Sequence, residues 1–117
     1  MTESVKRLYE RYEFTALAVI VMPSGEEITA RVSNISYGGC LLLTTRKLPI
    51  GAELTVKIHT FDQEFEAPVR VVHSGENHVG MMFGKITPAA LFVLQKWISD
   101  VRYLQSVSAV EERLTQK

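Results

Sequence analysis

Phe14-Thr-Ala-Leu-Ala-Val-Ile-Val-Met22, the turn Pro23-Ser-Gly25 and the run Ile28-Thr-Ala-Arg-Val32 stand almost end to end in this chain. The first run is dense in apolar and β-branched residues, the second alternates apolar with polar, and Pro-Ser-Gly is turn chemistry. Together they read as a hairpin. Working outward, Cys40-Leu-Leu-Leu-Thr-Thr45 is a third strand and Pro49-Ile-Gly51 the turn after it. Glu53-Leu-Thr-Val-Lys-Ile-His59 then sets Leu54, Val56 and Ile58 on one face, since strand side chains alternate sides. Asp62 and Gln63 mark a reversal, and Phe65 to His73 and His78 to Phe83 flank Ser74-Gly-Glu-Asn77 as two further strands. Six short antiparallel strands at this spacing make a barrel or a sandwich. Pro68 lacks an N–H for a ladder, which puts its part of the fifth strand at an edge or a bulge.

Thr87-Pro88 then opens a helix, with Thr as N-cap and Pro at the first helical position, where a missing N–H costs nothing. Leu91, Leu94, Trp97, Ile98, Val101 and Leu104 recur every three or four residues, a stripe that would pack on the sheet. Tyr103, Val107, Val110 and Leu114 form a second stripe on a rotated face. A helix of about 25 residues runs nearly 40 Å, longer than a small barrel is wide. The overhang predicts a homodimer contact through this helix.

At 117 residues the chain is one domain, long enough for a hydrophobic core. One cysteine, Cys40, excludes an internal disulfide framework and fits a reducing cytosol. The N-terminus carries Glu3, Lys6, Arg7 and Glu10, unlike a signal peptide, and no apolar run approaches a membrane span. A cytoplasmic protein is expected. Thirteen Lys plus Arg balance thirteen Asp plus Glu, which disfavours general nucleic-acid binding because no bulk field draws in a polyanion. A small anion needs only a local cluster, and Lys6, Arg7 and Arg11 form one.

Two short patterns carry chemistry. In Arg7-Leu-Tyr-Glu-Arg11 two arginines four apart supply planar forks that can stack on a purine, bond its O6/N7 edge or grip phosphate. In Asn34-Ile-Ser36-Tyr-Gly-Gly39, Asn34 offers an amide, Ser36 a hydroxyl, and Gly39 a backbone free to turn to positive φ beside a flat base. Read alone, the first is a solvated terminus whose arginines pair with Glu3 or Glu10, and the second a polar turn between strands. Cys40, opening an apolar strand, reads as a small buried hydrophobe and not a nucleophile. His59, His73 and His78 lack a metal-ligand spacing such as HExxH and read as surface histidines near strand ends. No metal site, cofactor cradle or catalytic set is expected, since neither GxxxxGK[ST] nor GxGxxG is present.

The ordered pair RxxxR and (D/N)xSxxG, here Arg7, Arg11, Asn34, Ser36 and Gly39, resembles the signature of the PilZ family, bacterial receptors for cyclic di-GMP. Val79-Gly-Met-Met-Phe83 is similar to a late strand of that family, so the resemblance covers nearly the whole chain. It implies a six-stranded antiparallel PilZ-like β-barrel with a C-terminal α-helix. The implied division is a mobile segment over 1–13 carrying RxxxR, a barrel over 14–86 and a helix over 87–114. The arginines would close over the nucleotide, Asn34 and Ser36 would meet a guanine base, and Gly39 would keep the turn open. Gly38 and Lys6 extend the set, Lys6 as a cation able to recruit a second, stacked ligand through its phosphate. Where the family often has Asp, this chain has Asn34, which keeps an acceptor and drops the charge. The implied role is a receptor that does no chemistry on its ligand and signals to a protein partner in motility, biofilm or exopolysaccharide control. The rival is a PilZ-like protein–protein interaction module that does not bind nucleotide.

Overall fold

The computed structural model describes residues 9–115, with side chains as far as residue 107. Six strands, β1 (Tyr12–Val21), β2 (Glu27–Ile35), β3 (Gly39–Leu43), β4 (Glu53–His59), β5 (Glu64–Ser74) and β6 (His78–Phe83), precede one helix, α1 (Pro88–Thr115). All strand pairs are antiparallel, and the order β1-β2-β3-β6-β5-β4 closes when β4 returns to β1, with Ile20 opposite Val56. Closure pairs both sides of each strand and leaves no long open edge.

The first hairpin turns as its residues dictate. Met22 N donates to Glu26 O and Gly25 N to Met22 O, each at 2.8 Å, and Gly25 takes a φ of 95°, which a side chain would resist. Pro68 sits at the local edge its missing N–H requires. It pairs with Thr55 on β4, whereas the β5–β6 ladder starts one residue later at Val69 and Phe83. On that open side only its carbonyl is used, accepting from Gly84 N at 2.7 Å.

The alternating strands fill the barrel with side chains that have no contact with water, among them Ile20, Ile35, Leu42, Ile58, Phe65 and Val71. Helix α1 closes one end against β5 and β1. Thr87 caps it as expected: its Oγ1 accepts from Ala90 N at 3.1 Å. Leu94, Trp97 and Ile98 are buried, and the Trp97 ring lies 5.0 Å from Phe14 and 6.1 Å from Phe65 between centroids. The packed face differs from the expected stripe at both ends. Ala90 is buried in place of Leu91, which is 38% exposed, and Leu104 is 62% exposed. Leu91 points about 100° round the helix from Ala90, and Val101 is the last apolar residue on the core among the described side chains. Tyr103, from the second stripe, is exposed too.

Three bulges break the regular ladder, and all three lie beside residues that line one cleft. Between β1 and β2 the register shifts from Glu13↔Asn34 to Ala16↔Val32, and between β2 and β3 Ser33 is the extra residue. The third bulge, on β5, lies between Val71 and His73. A bulge adds local twist and re-aims the side chains beside it.

Candidate functional site

β2 continues through Asn34 to Ile35, so Asn34 belongs to a strand and not to the turn in which its residue type placed it. It pairs with Glu13 on one side and Leu41 on the other. The bulge at Ser33 explains both facts: the ladder absorbs one residue and continues, leaving Asn34 half-buried on the outer wall and Ile35 inside. The turn itself is Ser36 to Gly39, closed by Ser36 N donating to Gly39 O at 2.9 Å. The Ser36 hydroxyl is folded into this turn. Its Oγ accepts from Gly38 N and Gly39 N, both at 3.1 Å, and lies 3.4 Å from the Gly39 carbonyl. The side chain is 9% exposed. In this conformation its first task is to shape the loop.

Gly39 is needed for a reason other than the expected one. Its φ is not in the positive region, which among the described residues only Gly25 and Gly51 occupy. Instead β3 runs so close to β6 that a Cβ at Gly39 would collide with the Met81 carbonyl oxygen. Gly38 lies under the Tyr9 ring, where a Cβ would come 2.8 Å from Tyr9 Cδ2, and its carbonyl accepts from Phe83 N at 2.8 Å. The turn is therefore pinned to β6 by backbone and covered by an aromatic ring.

Arg11 directly precedes β1, and the register Tyr12↔Ile35 brings it beside Ser36. Arg11, Asn34, Ser36, Gly38 and Gly39 all line one cleft of about 920 Å³. Arg7 and Lys6 lie outside the described residues. The rest of the wall was not read from the sequence. Tyr9 and Tyr37 line it, with ring centroids 6.4 Å apart and planes at 61°, an edge-to-face pair. Both occupy unspecified positions inside the two motifs, so their aromatic character was the available signal. His73, His78 and Met82 come from β5 and β6, far away in sequence, and only the closed sheet brings them here.

Electrostatically the described part of the cleft offers the Arg11 cation and no carboxylate among its lining residues. Ion pairs among the described residues lie elsewhere: Arg46 with Glu26 at 3.0 Å, Arg70 with Glu53 at 3.0 Å and Lys96 with Asp100 at 3.2 Å. The Glu26 carboxyl is held below its ordinary range by the hydrogen bond and charge of Arg46. Cys40 faces the core beneath the cleft floor, and burial pushes its thiol up to about 12, leaving the nucleophilic thiolate unpopulated at neutral pH. A cationic fork, an amide and exposed aromatic rings around an open cleft suit a flat, anionic small molecule.

The family model described as "PilZ domain" matches residues 5–100. The chain belongs to the PilZ domain family. Solved structures agree with this fold. The PilZ domain of Escherichia coli YcgR with c-di-GMP is 14% identical with a TM-score of 0.74, over 89% of this chain and 97% of that one. YcgR of Escherichia coli in complex with c-di-GMP is 15% identical with a TM-score of 0.75, over 91% of this chain and 50% of that one. The Bacillus subtilis inhibitor of motility MotI/DgrA is 18% identical with a TM-score of 0.66, over 96% of this chain and 53% of that one. This PilZ domain thus spans about half of the two longer relatives. Among curated proteins, none matches it in sequence. No described helix is long and apolar enough to cross a membrane.

Proposed function

We infer that this PilZ domain is a cytoplasmic receptor for cyclic di-GMP that works by binding alone and does no chemistry on the nucleotide. The observation that carries the reading is the convergence of Arg11, Asn34, Ser36 and the two glycines on one open cleft of about 920 Å³. That volume lies within the range of roughly 300–1,000 Å³ usual for small-molecule sites. Family membership and the c-di-GMP named in the YcgR structures support it.

In this reading Arg11 and Arg7 supply guanine stacking, guanine-edge and phosphate contacts. Asn34 bonds the guanine edge as a neutral acceptor, and Ser36 holds the turn that receives the base. Tyr9 and Tyr37 add aromatic faces to the wall. Binding draws the segment before β1 onto the barrel, and the new surface recruits a protein partner. Motility, biofilm and exopolysaccharide control are the outputs in view, motility having the support of the Bacillus subtilis relative's name.

Isothermal titration with cyclic di-GMP tests this. Saturable binding is expected, and Arg11→Ala is expected to weaken it about 10- to 100-fold, the worth of a charge-assisted contact. The same titration counts ligands: two per chain, falling to one in Lys6→Ala, would place a second stacked nucleotide on Lys6. Absence of binding by the unaltered protein would favour the PilZ-like module that acts through protein contacts alone.

A further inference from the structure

The β5–β6 hairpin brings together two histidines that the nucleotide reading does not use. His73 lies on β5, His78 opens β6, and a glycine stands across from each. Gly80 pairs with His73, and Gly75 N donates to His78 O at 2.9 Å. Gly75 leaves the space that the His78 ring occupies, and Gly80 leaves room at the root of the His73 side chain. A Cβ at Gly75 would lie 2.5 Å from His78 Cε1, and one at Gly80 would lie 3.3 Å from His73 Cβ. The β5 bulge turns both Val72 and His73 outward. As a result the two imidazoles meet at Nε2···Nε2 2.8 Å, with ring centroids 4.9 Å apart and planes at 23°. One Nε2 donates to the other, and both rings line the cleft that holds Arg11 and Asn34.

We propose that His73 and His78 form a two-histidine seat for a divalent first-row transition cation of imidazole preference, zinc(II), nickel(II) or copper(II), in the wall of the cleft. Neutral imidazole nitrogen is the ligand these cations share. With metal–nitrogen bonds of about 2.0–2.1 Å, nitrogens on adjacent coordination positions lie roughly 2.8–3.4 Å apart. The hairpin already holds the pair at the short end of that range, joined by a hydrogen bond. In the hydrogen-bonded pair the two Nε2 atoms point at each other along the line between the rings, so a cation takes the place of the shared proton once both rings have swung to aim their lone pairs at it, which they are free to do because His73 is exposed and His78 half-buried. The ladder fixes both backbone positions beforehand, so only the side-chain torsions are left to order on binding. Among the described residues no group of three His, Cys, Asp or Glu is placed to hold a metal. The seat is therefore exchangeable, and its remaining positions face water or an anionic group in the cleft. The cation seat does not depend on the nucleotide reading.

The test is a titration of the untagged, chelator-stripped chain with zinc(II) and then nickel(II), by calorimetry, with the imidazole resonances followed by NMR in the zinc series. Saturable 1:1 binding is expected, with shifts at His73 and His78 and none at His59, which sits 3.8 Å from Glu64 on the far side of the β4–β5 turn. His73→Ala and His78→Ala should each weaken binding by at least the roughly tenfold that loss of even a supporting partner of a metal ligand costs. His59→Ala should leave it unchanged, and melting curves verify that each variant folds. Failure of both cations to bind, or resonance shifts that spare His73 and His78 in the unaltered protein, would overturn the seat. Undiminished affinity in both alanine variants would do so as well.

Discussion

Gly39 shows how a missing methyl group can set a site. The turn after β2 lies against β6 because nothing stands between the Gly39 Cα and the Met81 carbonyl. Gly39→Ala forces backbone apart and should destabilise the domain by about 1–3 kcal/mol, the usual cost of overpacking. Denaturant titration would show this as a lower midpoint at constant m-value. Gly25→Ala has a different cause, since its surroundings are open and only its φ of 95° resists a side chain. At this scale the residues that line the cleft were legible by type, while their local setting was only partly so. Ser36 was expected to face a base and is bound into its own turn. Asn34 was expected in a loop and lies on a strand. A hydroxyl three residues before a glycine can serve ligand or backbone equally well, and only the folded geometry distinguishes the two.

Among the elements, helix α1 separates what a periodic pattern says from what packing uses. Its start was legible because Thr-Pro is cap chemistry, and Thr87→Ala should cost about 1 kcal/mol. Trp97→Ala removes the ring that touches both Phe14 and Phe65 and should cost about 3–5 kcal/mol. Leu104→Ala, at a position the same stripe had put in the core, should change stability by less than about 0.5 kcal/mol because that side chain is 62% exposed. Thermal melts of the three variants check this order. Strand positions were legible from alternation, and β4 and β6 have the bounds expected. Bulges were not, because an inserted residue changes which face a side chain takes without altering composition.

At the level of the whole molecule, α1 runs 28 residues, about 42 Å, and projects past the barrel with Tyr103 and Leu104 exposed. A dimer through this helix predicts a sedimentation coefficient that rises with protein concentration and a Tyr103→Glu variant that stays monomeric. Sedimentation as monomer throughout would exclude that contact. Two levels of information meet in this chain. Turn residues, alternation and the cap were enough for six antiparallel strands and a closing helix, because each rests on neighbours within a few positions. The two motifs likewise named Arg11, Asn34, Ser36 and Gly39 as a set. Barrel closure then placed His73, His78 and Met82 in the wall of the same cleft as Arg11 and brought a backbone carbonyl against Gly39. Those relations join residues more than thirty positions apart, and no local pattern encodes them. They arise only when β6 docks between β3 and β5 and the register of each ladder sets which side chains share a wall.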